Sequence, residues 1–231
     1  MTFEVLADAQ ATAERAAQII ASDARAAVAA RGKFSMAVSG GHTPWIMLRA
    51  LANQDVPWAS VEVFQIDERI APAGDPDRNL THLQESLLSH APISPRQIHA
   101  MPVELPDVDA AAAQYAAALQ RITGMPATLD LAHLGLGPDG HTASLVPGDP
   151  VLDITHADVG LTGVYLGRRR MTLTYPMINR SRKILWLVTG AEKVVMLPRL
   201  RAADVGIPAG RISQEQAVIL ADRAAAGEGA P

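Results

Sequence analysis

Short apolar runs alternate along the chain with longer, alanine-rich stretches in which apolar residues recur at helical spacing. This alternation is typical of a parallel sheet whose strands are connected by helices. The pattern predicts strands at 3–6, 34–38, 61–66, 129–134, 170–175 and 183–189, with a last edge strand at 218–220. It predicts helices at 8–31, 44–52, 80–88, 107–123 and 191–202, and a loop over 67–79.

The predicted elements follow one another without an internal repeat or a linker-like change in composition. One domain usually takes about 150 residues, and a chain of 231 residues with this uniform pattern fits one medium-sized domain best. We expect a single α/β domain over 1–223, built as an open, mostly parallel sheet with helices on both faces. The small and polar residues at 224–231 predict a disordered tail.

Composition argues against several classes of function and does not identify one. The chain has 24 acidic and 20 basic side chains and a net charge of -4, which argues against a general binder of nucleic acid or of acidic membranes. Cysteine is absent, which excludes a disulfide framework, a thiolate metal site and a catalytic thiol. Without a membrane-length apolar run or a signal-peptide pattern at the start, we expect a cytoplasmic protein.

A first glycine-rich loop, Ser39-Gly40-Gly41-His42-Thr43-Pro44, falls between a predicted strand and a predicted helix. Thr43 can cap the helix, and Pro44 suits its first turn. Glycines let the backbone approach a ligand, and the free N–H groups at a helix start favour an anion. The loop is therefore a candidate phosphate cradle, although the same glycines would serve a tight strand-to-helix turn, and the residues alone leave both interpretations open.

A second glycine-rich loop, Gly135-Leu136-Gly137-Pro138-Asp139-Gly140, follows the strand at 129–134. A dinucleotide site would need a long helix directly afterwards, and the prolines at 147 and 150 prevent one. The loop instead brings Asp139 close to His141, and an imidazole oriented by a carboxylate can act as a general base near neutral pH. A loop histidine with a structural hydrogen bond is the alternative, and it stays open here.

Charged residues follow two other strands. Asp67-Glu68-Arg69 closes the strand at 61–66, and such charges are costly unless they face a cleft or cap an element. Lys193 is predicted near the start of a helix, where its charge opposes the helix dipole unless a phosphate binds there. Arg168, Arg169 and Arg170 form a basic run in which at least two side chains are expected to be solvated.

Taken together, these segments resemble the glucosamine-6-phosphate deaminase / 6-phosphogluconolactonase family, and the lactonase branch in particular. The order and spacing match from about residue 3 to residue 221. The segments that carry the resemblance are Ser39-Gly40-Gly41-His42-Thr43-Pro44, Asp67-Glu68-Arg69, Gly135 through Ser144, Arg170-Met171-Thr172-Leu173-Thr174 and Val188-Thr189-Gly190-Ala191-Glu192-Lys193.

The resemblance implies the open α/β fold of the ribose-5-phosphate isomerase and deaminase superfamily. It also implies hydrolysis of 6-phosphoglucono-1,5-lactone in the pentose phosphate pathway, without a metal or another obligatory cofactor. By position, His141 corresponds to the base, Asp139 to its partner and Arg69 to a ligand-facing cation. The implied substrate-binding residues are Ser39, Gly40, Gly41, Thr43, Asp67, Gly137, Arg170 and Lys193. We expect a sugar-phosphate lactone as partner and a monomer or weak homodimer.

Two other functions are weighed against this one. An amino-sugar-phosphate isomerase or deaminase of the same fold usually has a Glu shortly after the histidine, where this chain has no acid between Ser144 and Gly148. A sugar-phosphate sensor without turnover would not need Asp139 and His141. The chain also departs from the lactonase pattern at Arg78 and Val146, which bears on substrate contacts rather than on the base.

Overall fold

The computed structural model describes residues 1–228, and its elements follow the alternating order that the sequence predicts. The strands are β1 (Thr2–Leu6), β2 (Phe34–Val38), β3 (Val61–Gln65), β4 (Asp67–Arg69), β5 (Ile98–His99), β6 (Leu131–Gly135), β7 (Val159–Leu161), β8 (Arg170–Leu173), β9 (Ile184–Val188) and β10 (Ala217–Asp222). The α-helices are α1 (Ala9–Arg31), α2 (His42–Ala52), α3 (Asn79–Leu83), α4 (Val108–Thr123), α5 (Tyr175–Asn179) and α6 (Met196–Arg201).

Seven strands form one parallel sheet in the order β1-β10-β9-β6-β2-β3-β5. Local signals set the long first helix, as the sequence indicates. The Asp8 side chain accepts a hydrogen bond from the N–H of Ala11 at the start of α1, and Gly32 ends it in a left-handed conformation with φ of 77°. The predicted fold class, an open and mostly parallel sheet, is confirmed.

Helices cover both faces of this sheet because successive strand residues point to opposite sides. In β9, Leu185 and Leu187 pack with α1 and α2, whereas Ile184, Trp186 and Val188 pack on the other face with α4, α5 and α6. Strands buried on both faces need the continuous apolar runs by which the sequence reveals them.

A second, antiparallel sheet of three strands in the order β4-β8-β7 sits beside the carboxyl end of β3. Ile66 joins the two sheets: its N–H donates to Val38 beside β3, and its carbonyl accepts from Leu173 in β8. The segment 67–79, predicted as a loop, therefore begins with a strand. Neighbouring loops and β8 are brought against the carboxyl edge of the main sheet.

Two sequence-based expectations about the later elements need correction. The last strand is not an edge strand, because β10 lies between β1 and β9. The helix predicted at 191–202 is split into a 3₁₀ turn at Ala191–Lys193 and the short α6. Pro198 explains the second change, since proline lacks the N–H needed inside a helix and is accepted in its first turn.

The expected tail at 224–231 falls partly outside the described residues, which end at 228. Up to that point the chain is folded: Ala225 is buried, and its N–H donates to the Asp222 carboxylate, while Ala226 N–H donates to the Asp222 carbonyl. Among residues 1–228, no helix is long and apolar enough to cross a membrane.

Candidate active site

A pocket of about 270 Å³ opens at the carboxyl edge of the main sheet, where β2, β3, β6 and the second sheet meet. Nine of the eleven predicted site residues line it, namely Ser39, Gly40, Gly41, Asp67, Arg69, Gly137, His141, Arg170 and Lys193. Asp139 lies directly behind His141. Thr43 lines an adjoining cavity that shares Gly40, Gly41 and Lys193 with this pocket.

The first glycine-rich loop runs along the pocket between β2 and α2. Gly40 is required by close packing, because a Cβ at this position would lie 2.0 Å from Oδ1 of Asn79. Gly41, with φ of 125°, precedes the first residue of α2. Thr43 is therefore not the cap that the sequence predicted: it lies inside α2, and its hydroxyl is 2.6 Å from the Thr189 hydroxyl.

His133, inside β6, holds the start of this loop in place. Its Nδ1 accepts a hydrogen bond from the N–H of Ser39, whose hydroxyl donates to the His133 carbonyl. The ring is fully buried, and burial lowers the pKa of His133 to about 4. The imidazole is thus neutral near pH 7, as a hydrogen-bonded histidine buried in an apolar strand is expected to be.

The second glycine-rich loop positions the candidate base. The Asp139 Oδ1 lies 2.5 Å from Nδ1 of His141 and also accepts from the His141 backbone N–H at 3.1 Å. A Cβ on Gly137 would lie 2.1 Å from the same Nδ1, so only glycine lets the imidazole fold back over the loop. Because Nδ1 is engaged by Asp139, Nε2 is the ring nitrogen left for a ligand.

The Asp139 carboxylate is held in its charged form. Burial raises the pKa of Asp139, but hydrogen bonds from the backbone and ring of His141, the charge of His141 and a hydrogen bond from Tyr165 outweigh it and lower the pKa overall. An ionised carboxylate beside an imidazole is the arrangement that a general base needs, because the carboxylate fixes one tautomer and stabilises the imidazolium that forms.

Three cations face the pocket. Arg69 Nη1 donates to Asn79 Oδ1 and to the Asp77 carbonyl, both at 2.7 Å. Arg170 is buried, which lowers its pKa, and its Nε has no hydrogen-bond partner within residues 1–228. A buried guanidinium N–H without a partner is costly, so an anionic ligand would satisfy it.

Lys193 ends the 3₁₀ turn after β9 and is largely buried, with Nζ 3.4 Å from the Glu192 carboxylate. The conflict with a helix dipole expected from the sequence is absent, since Lys193 does not begin a helix. Within the basic run, Arg168 pairs with Asp75 and Asp77, whereas Arg170 alone lines the pocket.

A buried ion pair supports the cationic side of the pocket from below. The Glu68 carboxylate accepts from the N–H groups of Arg69, Asn79 and Leu80 and from the Gln65 side chain. Nε of Arg78 lies 3.1 Å from this carboxylate, and both side chains are fully buried. The departure from the family pattern at Arg78 therefore supplies the counterion of Glu68, beneath the pocket.

Sequence reasoning missed three residues that organise the site. Asn79 joins Arg69 to Asp67, because its Nδ2 donates to the Asp67 carbonyl at 2.9 Å. The buried Ser144 donates to the Asp67 carboxylate at 2.6 Å. Tyr165 donates to Oδ2 of Asp139 at 3.1 Å. Asn79 and Ser144 lie within quoted motifs or beside them, whereas Tyr165 lies in a segment that carries no motif.

The donor set at the site does not suit a metal ion. Across residues 1–228, no three His, Asp or Glu side chains come together in a way that could hold one. The pocket combines three cations and glycine-loop N–H groups with one histidine–carboxylate pair. An arrangement of this kind at the carboxyl edge of a parallel sheet has the donors and charges that suit a small phosphorylated metabolite.

Comparison with known proteins identifies the family. The family model for glucosamine-6-phosphate isomerases/6-phosphogluconolactonase matches residues 7–220. A 6-phosphogluconolactonase of Synechocystis sp. is 37% identical over 87% of this chain and 85% of its own length. A 6-phosphogluconolactonase of Mycobacterium tuberculosis is 35% identical over 97% of both chains. The chain belongs to this family, which confirms the resemblance drawn from the motifs.

Solved structures agree with the assignment. The 6-phosphogluconolactonase of Thermotoga maritima superposes with a TM-score of 0.85 at 27% identity and covers 96% of this chain and 98% of its own. A monomeric glucosamine-6-phosphate deaminase also has a TM-score of 0.85, but at 18% identity, and covers 98% of this chain and 99% of its own. The second likeness shows only that both branches of the family share the fold.

Proposed function

We propose that this enzyme hydrolyses 6-phospho-D-glucono-1,5-lactone to 6-phospho-D-gluconate, the second step of the oxidative pentose phosphate pathway, with His141 as the general base. The reaction is that of the relatives that match nearly the whole chain. The observation that carries the mechanism is the His141–Asp139 pair, in which the carboxylate holds Nδ1 and leaves Nε2 available at the pocket.

In this mechanism, Nε2 of His141 takes a proton from water as the water oxygen attacks the lactone carbonyl. Arg69 or the N–H groups of the glycine loops stabilise the oxyanion that forms. The bond between the carbonyl carbon and the ring oxygen then breaks, and the imidazolium returns its proton to that oxygen. Asp139 remains ionised throughout and stabilises the transient imidazolium.

The phosphate is proposed to bind where the Ser39–Thr43 loop, Lys193 and Arg170 converge. A dianion needs both backbone donors and cationic partners. The unpartnered Nε of the buried Arg170 and the glycines before α2 supply these groups on one side of the pocket. Asp67 is left to bind substrate hydroxyl groups. The enzyme is further proposed to act in the cytoplasm, without a cofactor, as a monomer or weak homodimer.

The two alternatives lack support at the site. A deaminase usually has a Glu a few residues after the histidine, but the stretch from Ser144 to Gly148 contains no acid, and the Ser144 hydroxyl donates to Asp67. A sensor without turnover would not need an imidazole held by a carboxylate. Turnover of the lactone above its spontaneous hydrolysis separates the sensor from the enzyme, and release of ammonia from glucosamine 6-phosphate would indicate the deaminase.

The replacement His141→Ala tests the mechanism. It removes the general base and lowers kcat by about 10² to 10⁴, while the circular dichroism spectrum and the unfolding midpoint stay close to those of the wild type. His156→Ala is the matched control, because His156 is exposed and lies away from the pocket. Activity of His141→Ala within a few-fold of the wild type would remove His141 from the mechanism.

A further inference from the structure

The hairpin between β7 and β8 carries a tyrosine across the catalytic pair. At its tip, the N–H of Tyr165 donates to the Arg168 carbonyl and the N–H of Arg168 to the Tyr165 carbonyl. Leu166 and Gly167 between them have φ of 48° and 79°. These values are those of a two-residue turn that suits the twist of a hairpin. The residue that precedes this turn is therefore held in a fixed position.

Contacts near its tip and at its base fix the direction of the hairpin as well. Arg168 donates to the carboxylates of Asp77 and Asp75 at 2.9 and 3.0 Å. The Thr162 hydroxyl accepts from the N–H of Arg170 at the base of the hairpin. The hairpin is thus bound to the segment that follows β4, and Tyr165 is directed back toward the pocket.

Tyr165 contacts the Asp139–His141 pair and the cation Arg170 with different parts of its side chain. Its hydroxyl donates to Oδ2 of Asp139, the oxygen that His141 does not use. Its ring meets the His141 ring edge-on at 5.6 Å, and the Arg170 guanidinium lies 5.0 Å from its centroid. Burial and the Asp139 carboxylate raise the pKa of Tyr165, so the hydroxyl stays a donor at neutral pH.

We infer that Tyr165 is a positioning residue that orients the Asp139–His141 pair through its hydroxyl and Arg170 through its ring. The inference rests on the proposed roles of these three residues. With Oδ2 bound by Tyr165, the carboxylate cannot rotate freely, and Oδ1 stays on Nδ1 of His141. The same ring forms a cation–π contact that holds the guanidinium in the pocket.

Two replacements separate these contacts. Tyr165→Phe keeps the ring and removes the hydroxyl, and it lowers kcat about tenfold with KM for the lactone within about twofold, the effect of one lost hydrogen bond to a charged group. Tyr165→Leu also removes the ring, so KM rises by a further factor of roughly three to ten. A merely structural role would change the unfolding midpoint instead of dividing the effect between kcat and KM.

Leu166→Asn is the matched control within the hairpin. Leu166 is 79% exposed and adopts a positive φ that asparagine accepts, so this variant keeps the wild-type kcat and KM. A second control combines Tyr165→Phe with Asp139→Ala: the double variant has the kcat of Asp139→Ala alone, since the hydroxyl acts through that carboxylate.

Equal kcat for Tyr165→Phe and the wild type would overturn the inference, as would a further loss in the Asp139→Ala background. Failure of the proposed function gives a different result, because His141→Ala would then keep its activity whatever Tyr165 does. If His141→Ala is inactive and Tyr165→Phe is unaffected, the general base stands and the positioning role of Tyr165 is wrong.

Discussion

Two histidines near the carboxyl end of β6 show how the same side chain takes opposite roles. His133 lies under the pocket, fully buried, and accepts a hydrogen bond from the backbone of Ser39. His141 lies at the pocket itself, partly exposed, and is paired with Asp139. The first has no charged partner and shapes the loop, whereas the second has a carboxylate at one nitrogen and a free nitrogen at the other. The hydrogen-bond partner, not the residue type, decides whether a histidine here has a structural role or the role of a candidate base.

The same division applies to the two acid–base pairs. The Glu68–Arg78 pair is buried, and its carboxylate is saturated with hydrogen bonds. The Asp139–His141 pair is partly exposed to solvent. We therefore expect changes beneath the pocket to reduce stability and changes at the pocket surface to reduce activity or binding.

The largest effect is expected beneath the pocket, from Arg78→Met. Methionine fills similar space but leaves the Glu68 carboxylate without its buried counterion, so the free energy of unfolding falls by about 3 to 5 kcal/mol. Urea denaturation followed by circular dichroism measures the change. Glu104→Gln is the control: Glu104 bonds to the same arginine but is 46% exposed, and its loss costs at most about 1 kcal/mol. Equal losses for the two variants would contradict the division.

The second prediction concerns pH and His133. Burial lowers its pKa in the folded protein to about 4, below the usual value of 6.5, so the unfolded chain binds a proton first as the pH falls. The stabilisation is complete above pH 6.5 and is lost between there and about pH 4, by about 3 kcal/mol in total. Across this range, the free energy of unfolding measured with urea is expected to depend more steeply on pH for the wild type than for His133→Gln. The exposed His156→Gln should keep the wild-type slope; a wild-type slope in His133→Gln would show that His133 does not contribute.

At the pocket surface, Asp139→Asn should lower kcat by roughly 10², because an amide can hold the imidazole in the wrong tautomer and does not stabilise its charged form. Initial rates with freshly prepared lactone, corrected for spontaneous hydrolysis, measure it. Stability at pH 7 should change far less than in Arg78→Met. An effect confined to KM would instead make Asp139 a ligand for a substrate hydroxyl group.

The smallest effect is expected from Lys193→Ala, which should weaken binding of the product 6-phosphogluconate by about 1 to 3 kcal/mol through loss of one charge-assisted contact. Isothermal titration calorimetry measures it. Gluconolactone without phosphate serves as the internal control, since its slow turnover should be almost unchanged in this variant. Equal proportional losses of turnover with the phosphorylated lactone and with gluconolactone would assign Lys193 a structural role.

The parts of the fold that could be predicted are those set by neighbouring residues. The helix α1 has its cap at Asp8 and its stop at Gly32 within the chain itself. The position of β10 inside the sheet could not be predicted, because strand order depends on pairing between distant segments. The break before α6 could have been placed better, since Pro198 already limits where that helix can begin.

The candidate site shows the same limit. His141, Asp139 and the glycine loops were predictable because their motifs are short and their chemistry is local. Tyr165 was not, because nothing in its own segment marks it, and only the pairing of β7 with β8 brings it to Asp139. Arg78 and Glu68 likewise become partners only when the segment after β4 folds back to begin α3.

The insertion of β10 between β1 and β9 has a consequence for how the chain folds during synthesis. Every hydrogen bond that β1 makes within the sheet is to β10, which spans Ala217–Asp222. β1 therefore stays unpaired until β10 has been synthesised, and until then β9, paired with β6 on one side, keeps an open edge that can pair with another chain. Assembly of this side of the sheet is completed only once β10 has been synthesised, so a nascent chain that ends between β9 and β10 carries β1 unpaired and β9 paired on one edge only.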